Sequence, residues 1–294
     1  MGEFKVGDIV IRKSYGGDIY FKIIQINKSL EKGQIYILKG TNVRLVADSL
    51  GSDLEKPSLD RISSNEEIFN NKVNAAIRKA LIARKSSKKV AFRASTILRS
   101  ESEETSGRPG KVLHIDGDEE YLNVCLKGYS KLKIDCVGKF VPEVKQMEVV
   151  KEILEEYRPD ILVLTGHDGM IKGTQNVKSL DSYRNSRYFI EAVKKAREYE
   201  KSYDDLIIFA GACQSFYEAL IDSGANYASS PGRVLIHAMD PVLVCEKVAF
   251  SSIGKLVSPQ EIMENTITGS KGIGGLETRG KYRELSPVSN LSDG

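Results

Sequence analysis

Two stretches, Ile161-Leu-Val-Leu-Thr-Gly-His-Asp-Gly169 and Leu206-Ile-Ile-Phe-Ala-Gly-Ala-Cys-Gln-Ser215, decide how this chain is read. Each is a short apolar run that ends in small residues and delivers one reactive side chain where the run stops, His167 in the first and Cys213 in the second. Runs of this length, rich in Ile, Val and Phe and bounded by Pro/Asp upstream and Gly downstream, read as buried parallel strands. Cys213 follows His167 by 46 residues. That is room for one loop, one crossover helix and one strand, so the two residues belong to consecutive strands, which are usually spatial neighbours. In open α/β sheets ligands bind beyond the carboxyl ends of the strands, so His167 and Cys213 are expected on one rim.

Working outward, strand and helix alternate on both sides. Val112–Asp116 reads as a strand, Glu119–Tyr129 as a helix, Lys133–Gly138 as a strand, and Val141–Tyr157 as a helix stopped by Pro159. A polar loop then leads to a helix over Ser186–Tyr203, with Phe189, Ile190, Val193 and Ala196 at helical spacing. Arg233–His237 and Pro241–Val248 are apolar enough to continue the sheet. The expectation is an α/β, flavodoxin-like parallel sheet with helices on both faces over residues 111–294.

Upstream, residues 1–55 carry short β-branched and aromatic runs separated by Gly-containing turns, the pattern of a small SH3-like β-barrel. Its basic residues and tyrosines are those of half-exposed strands, and a docking or substrate-presenting module is expected in preference to a nucleic-acid binder. Residues 56–110 read as a helix over Glu66–Arg84, capped by Ser64, followed by a polar linker from Ser95 to Lys111.

Composition bounds the function. With 43 basic and 40 acidic residues among 294, the net charge of +3 calls for neither nucleic acid nor an anionic membrane. No run approaches the roughly 18–20 apolar residues of a membrane span, and the N-terminus lacks the apolar core of a signal peptide, so a cytoplasmic protein is expected. Cys125, Cys136, Cys213 and Cys245 are scattered, without zinc-site spacing, and are expected as thiols; no metal or organic cofactor is implied.

A thiolate stabilised by an imidazole or by a helix N-terminus is a competent nucleophile. Cys213 precedes an amphipathic segment and is placed at a strand-to-helix turn, where backbone N–H groups near Gly169 and Cys213 would hold an oxyanion. Cys125, Cys136 and Cys245 fall inside expected elements and read as core, as does His114; His237 is a weaker substitute base.

An apolar block ending in His with Gly close behind, followed by an apolar block ending in Ala-Cys, resembles the caspase-like cysteine peptidases over about Lys111–Val257. Asp168, between His167 and Gly169, departs from the direct His-Gly of many members. Leu-Thr-Gly-His-Asp-Gly and Ala-Gly-Ala-Cys-Gln-Ser, with the small β domain, resemble the YabG sporulation-specific protease family over nearly the full length. The resemblance implies a thiol protease acting on spore coat and germination-related precursor proteins in the mother cell, in association with the spore coat, and cleaving after arginine. Arginine selectivity needs a buried carboxylate for the guanidinium fork. Asp116, at the end of the first strand of the sheet, is the choice, with Asp118 and Asp168 as alternatives; Asp116-Gly-Asp118 also reads as an ordinary turn and helix cap. Two other classes stay open: a flavodoxin-like nucleotide- or phosphate-binding module using Gly269-Ser-Lys-Gly-Ile-Gly-Gly275, and a non-catalytic coat-assembly scaffold.

Overall fold

The computed structural model describes residues 4–29, 33–95, 106–171, 173–174 and 176–285. The first sheet is antiparallel and comprises β1 (Ile9–Arg12), β2 (Tyr20–Ser29), β3 (Gly33–Gly40), β4 (Val46–Leu50) and β5 (Leu54–Glu55), in the order β4-β3-β2-β1-β5. Alternation along its strands turns Val10, Phe21, Ile23, Tyr36 and Leu38 inward, with Leu54, to form a small core.

Helix α1 (Leu59–Ser95) starts earlier than its periodicity predicts. The Ser58 hydroxyl, not Ser64, receives the Arg61 N–H at 3.4 Å. Most of the expected linker, residues 96–105, lies outside the described residues. Its end is a strand, β6 (Ser106–Arg108).

The chain then alternates through β7 (Val112–Asp116), α2 (Glu119–Lys131), β8 (Cys136–Phe140), α3 (Glu143–Tyr157), β9 (Ile161–Thr165), α4 (Ser186–Tyr199), β10 (Ile207–Ala210), α5 (Tyr217–Asp222) and β11 (Tyr227–Ser229). It continues with α6 (Asp240–Phe250), β12 (Leu256–Val257), α7 (Pro259–Asn265), β13 (Ile273–Gly275), β14 (Thr278–Arg279) and β15 (Arg283–Leu285). The large sheet runs β13-β11-β10-β9-β7-β8. Its five strands from β11 to β8 are parallel, and β13 closes the edge antiparallel to β11. The order reverses between β7 and β9, which is the switch point where a doubly wound sheet opens its crevice.

Both faces of this sheet are covered, which is why its strands are apolar without alternation. Val112, Val163, Phe209 and Tyr227 pack with Tyr129, Val242 and Val248 on one side. Leu113, Leu162, Ile208 and Ala210 pack with Leu154, Phe189, Val193 and Leu220 on the other.

Two expectations about the second half are overturned. Residues 240–250 form a helix, not a strand, with nine of its residues buried. A segment apolar all round carries no periodicity to separate helix from strand, and Asp240-Pro241 was the overlooked helix-start signal. Residues 233–237 likewise form no strand and make one isolated antiparallel bridge, His237 with Val43.

Candidate active site

The carboxyl ends of β7, β9 and β10 lie side by side, with Ile207–Ala210 in parallel register on Ile161–Leu164, and Val112–Asp116 on Ile161–Thr165. Asp116, His167 and Cys213 therefore emerge at one edge of the sheet. The Thr165 hydroxyl ties the two key strands together by donating to the Gly211 carbonyl at 2.8 Å.

Cys213 is fully buried. Its Sγ accepts the Ile236 N–H at 3.3 Å, and burial pushes the thiol up to about 12 against the weaker opposing pull of that bond and of Arg44. The expected helix N-terminus is not beneath it: β10 ends at Ala210 and α5 begins only at Tyr217. What shapes the turn is Gln214, in the left-handed region at φ 54°, and Ser215, whose hydroxyl accepts the Ala212 N–H at 2.9 Å.

That hydroxyl also donates to Asp168 at 2.8 Å. Asp168 is buried and further receives the Ser186 hydroxyl at 2.5 Å and the Asn185 and Gly169 amides, each at 2.8 Å. Its carboxylate, one alternative for an arginine pocket, is thus filled by four neighbouring donors, and the Gly169 N–H expected at an oxyanion is bound to it. Asp168 braces both key turns at once.

His167 is held between two carboxylates. Glu143 Oε1 accepts its backbone N–H at 2.7 Å and stands 3.3 Å from ring Nδ1, while Asp118 Oδ2 stands 3.2 Å from Nε2. The Asp118 contact is an ion-pair distance without hydrogen-bond alignment, since Nε2 has no hydrogen-bond partner. Burial lowers the imidazole pKa, but the two carboxylates outweigh it and the net direction is upward. Asp118 itself caps α2 through the Tyr121 N–H and pairs with Lys39 at 2.9 Å. Among the described residues no hydrogen bond joins His167 to Cys213.

Asp116 is completely buried and meets the guanidinium of Arg44, from the loop between β3 and β4, at 2.8 and 2.9 Å. His114 Nε2 stands 3.2 Å away and the Asp118 amide donates to it at 3.0 Å. Burial alone would raise the Asp116 pKa; the Arg44 charge reverses that and holds it below the carboxylate range. Arg44 also donates to Cys125 Sγ at 3.3 Å and lies over the Tyr121 ring, 5.0 Å from its centroid. The ligating atoms of His114, Asp116 and Cys125 lie within 4.8 Å of one another, and the cation among them is this guanidinium. Of the three candidate pocket carboxylates, Asp116 is the one that holds an arginine.

The other histidines and cysteines are held in the packing around this edge. His114 is a core residue bonded to Tyr129 at 3.0 Å. His237 stacks on Phe69, and burial takes its pKa down to about 4. Cys125 and Cys245 are buried, Cys136 is half-buried, and all four cysteines are free. The Gly269–Gly275 segment is a 3-10 turn followed by edge strand β13, where a Cβ on Gly275 would meet the Asn226 carbonyl at 2.3 Å. It is a sheet edge and not a phosphate cradle.

Sequence reasoning missed Glu143, Tyr121 and Arg44. Glu143 had one usable trace: a Cβ at Gly117 or Gly166 would meet its carboxylate at 2.3 Å, so two glycines in different strand-end turns make room for one side chain. Arg44 had none, being one basic residue among several in a β domain.

No helix among the described residues is long and apolar enough to cross a membrane. Comparison with known proteins gives the class of the molecule, a peptidase. The family model described as YabG peptidase U57 matches residues 5–287. The sporulation-specific protease YabG of Bacillus subtilis (strain 168) is 41% identical over 288 residues, covering 98% of this chain and 99% of that protein. The chain belongs to the YabG peptidase family. No solved structure matches it.

Proposed function

We propose that this peptidase is a sporulation-associated cysteine endopeptidase of caspase-like type that cleaves after arginine, with Cys213 as nucleophile and His167 as acid and base. The observation that carries the reading is the parallel pairing of β9 with β10, which brings the strand-end His and Cys to one edge. Support for the arginine preference comes from Asp116, a buried carboxylate on the adjoining strand that already binds a guanidinium.

In the proposed reaction the Cys213 thiol passes its proton to His167, and Sγ attacks the carbonyl carbon of the arginine residue. The Cys213 N–H supports the oxyanion; the Gly169 N–H, bound to Asp168, takes no part. His167 protonates the leaving amine as the C–N bond breaks, giving a thioester. It then takes a proton from water, whose oxygen displaces Sγ and releases the new carboxylate. Glu143 orients the ring through Nδ1 and stabilises the imidazolium. The first sheet is read as an SH3-like module that presents chain to the site. Spore coat and germination-related precursor proteins are the proposed substrates, met in the mother cell or at the coat.

The test is cleavage of arginine-containing reporter peptides by the parent and by Cys213→Ala. Loss of cleavage in the variant is expected, and a variant as active as the parent rejects the assignment.

A further inference from the structure

The loop between β3 and β4 does more than supply Arg44. It is closed on itself, with Gly40 N–H donating to the Leu45 carbonyl and Leu45 N–H to the Val43 carbonyl, each at 2.8 Å. The Tyr121 hydroxyl fastens it to α2 by donating to the carbonyls of Gly40 and Val43. Its residues then meet the crevice in order. Val43 pairs antiparallel with His237, one residue beyond Ile236, whose amide holds Cys213 Sγ. Arg44 descends onto Asp116. Leu45 approaches Gly169, its Cδ1 lying 3.9 Å from where a Cβ there would stand. Val46 lines a cleft of about 360 Å³ with Glu143, His167, Asp168, Arg184 and Asn185.

A peptide bound for cleavage after arginine would have the same order: a backbone pairing on an exposed edge, an arginine in an acidic pocket, then following residues passing the catalytic imidazole. We infer that residues 41–46 are an internal pseudosubstrate: Arg44 fills the arginine pocket, and the segment must withdraw before a substrate arginine binds. The inference rests on the cysteine peptidase reading above.

Three further features fit. Cys213 is fully buried, as a covered nucleophile would be, and the nearby Arg44 charge favours its thiolate against the upward push of burial. The Leu45 amide is turned back onto Val43, so the Arg44–Leu45 bond sits in a tight turn and not in the extended form of a substrate. The buried ion pair is also a poor stabilising device: Arg44 Nε is left without a hydrogen-bond partner, and desolvation of a buried pair commonly cancels its attraction.

The experiment compares full-length parent, Arg44→Ala, Arg44→Lys and Cys213→Ala for hydrolysis of a blocked arginyl-peptide amide and for alkylation of Cys213 by iodoacetamide. When the competent form is a minor fraction, apparent affinity is reduced by that fraction, so Arg44→Ala is expected to lower KM by about tenfold or more. It should also speed alkylation. Arg44→Lys keeps a cation on Asp116 and is expected to fold and fall between, which secures the result if the Ala variant does not fold. A KM and an alkylation rate unchanged in Arg44→Lys and in any folded Arg44→Ala overturn the pseudosubstrate, while the peptidase reading stands if Cys213→Ala is inactive. Cleavage by Cys213→Ala equal to the parent's overturns both.

Discussion

Glu143 grips His167 twice with one oxygen, taking the backbone N–H at 2.7 Å and standing 3.3 Å from ring Nδ1. Backbone and imidazole are thereby fixed against the first turn of α3. Because Asp118 and Glu143 raise the His167 pKa above its ordinary 6.5, their stabilisation is full below 6.5 and is lost as pH rises through the folded value. Glu143→Gln is expected to bring that pKa down, moving the acid limb of kcat/KM, where His167 must be neutral to take the thiol proton, to lower pH, and shrinking the loss of urea stability on alkalinisation. A pH–rate profile and urea melts at several pH values read both effects.

The imidazole itself is expected to matter most. His167→Gln should lower kcat by about 10²–10⁴-fold, the range for losing a positioned acid and base. Thermal unfolding measured beside the kinetics separates this loss from misfolding.

Gly117 and Gly166 are predicted to act through Glu143. A methyl at either would sit 2.3 Å from the carboxylate, closer than any real carbon contact. Gly117→Ala should push Glu143 off His167 and cost on the order of 10–100-fold in kcat, the scale of a misplaced catalytic group, with KM little changed. The His167 ring NMR signals should shift in the same variant.

Asp168 is expected to be a stability residue. Removing its carboxylate strands the donors of Gly169, Asn185, Ser186 and Ser215 in a buried site. Asp168→Ala should therefore destabilise by several kcal/mol, at about 1–3 kcal/mol per buried donor left unpaired. Ser215→Ala, which removes one donor and frees the Ala212 amide, should cost less. Chemical denaturation of both variants tests the order.

His237 has the opposite acid response to His167. Its pKa falls from 6.5 to about 4, so the fold disfavours its charged form and stability declines as pH drops from 6.5 toward 4. His237→Gln should flatten that decline, read from melting temperatures across the same pH interval.

Much of this architecture was legible because buried parallel strands are written as unbroken apolar runs. Ile161–Thr165 and Ile207–Ala210 could be read as strands, and their spacing made them neighbours. Residues 240–250 could not be told from a strand, because burial on every side removes the periodicity that marks a helix. The site was less legible where it depends on distant chain. Asp116 was found at a strand end, but its partner Arg44 lies 72 residues away in the loop between β3 and β4. Glu143 is an ordinary first-turn carboxylate until two glycines show what they make room for. The helix expected under Cys213 begins four residues too late because Gln214 and Ser215 first turn the chain through a left-handed step.

Strand β6, pairing with β15 through Ser106–Leu285, Gly107–Glu284 and Arg108–Arg283, clasps the start of the second half to its far end. Upstream of the clasp, α1 is fastened independently, with Arg84 bonded to Glu246 on α6 and to the Leu132 carbonyl. The covalent link between residues 95 and 106 is therefore not what keeps the two parts together. A chain severed there would run as two fragments on a denaturing gel and as one particle in solution, so an intact elution profile says nothing about whether the polypeptide has been nicked.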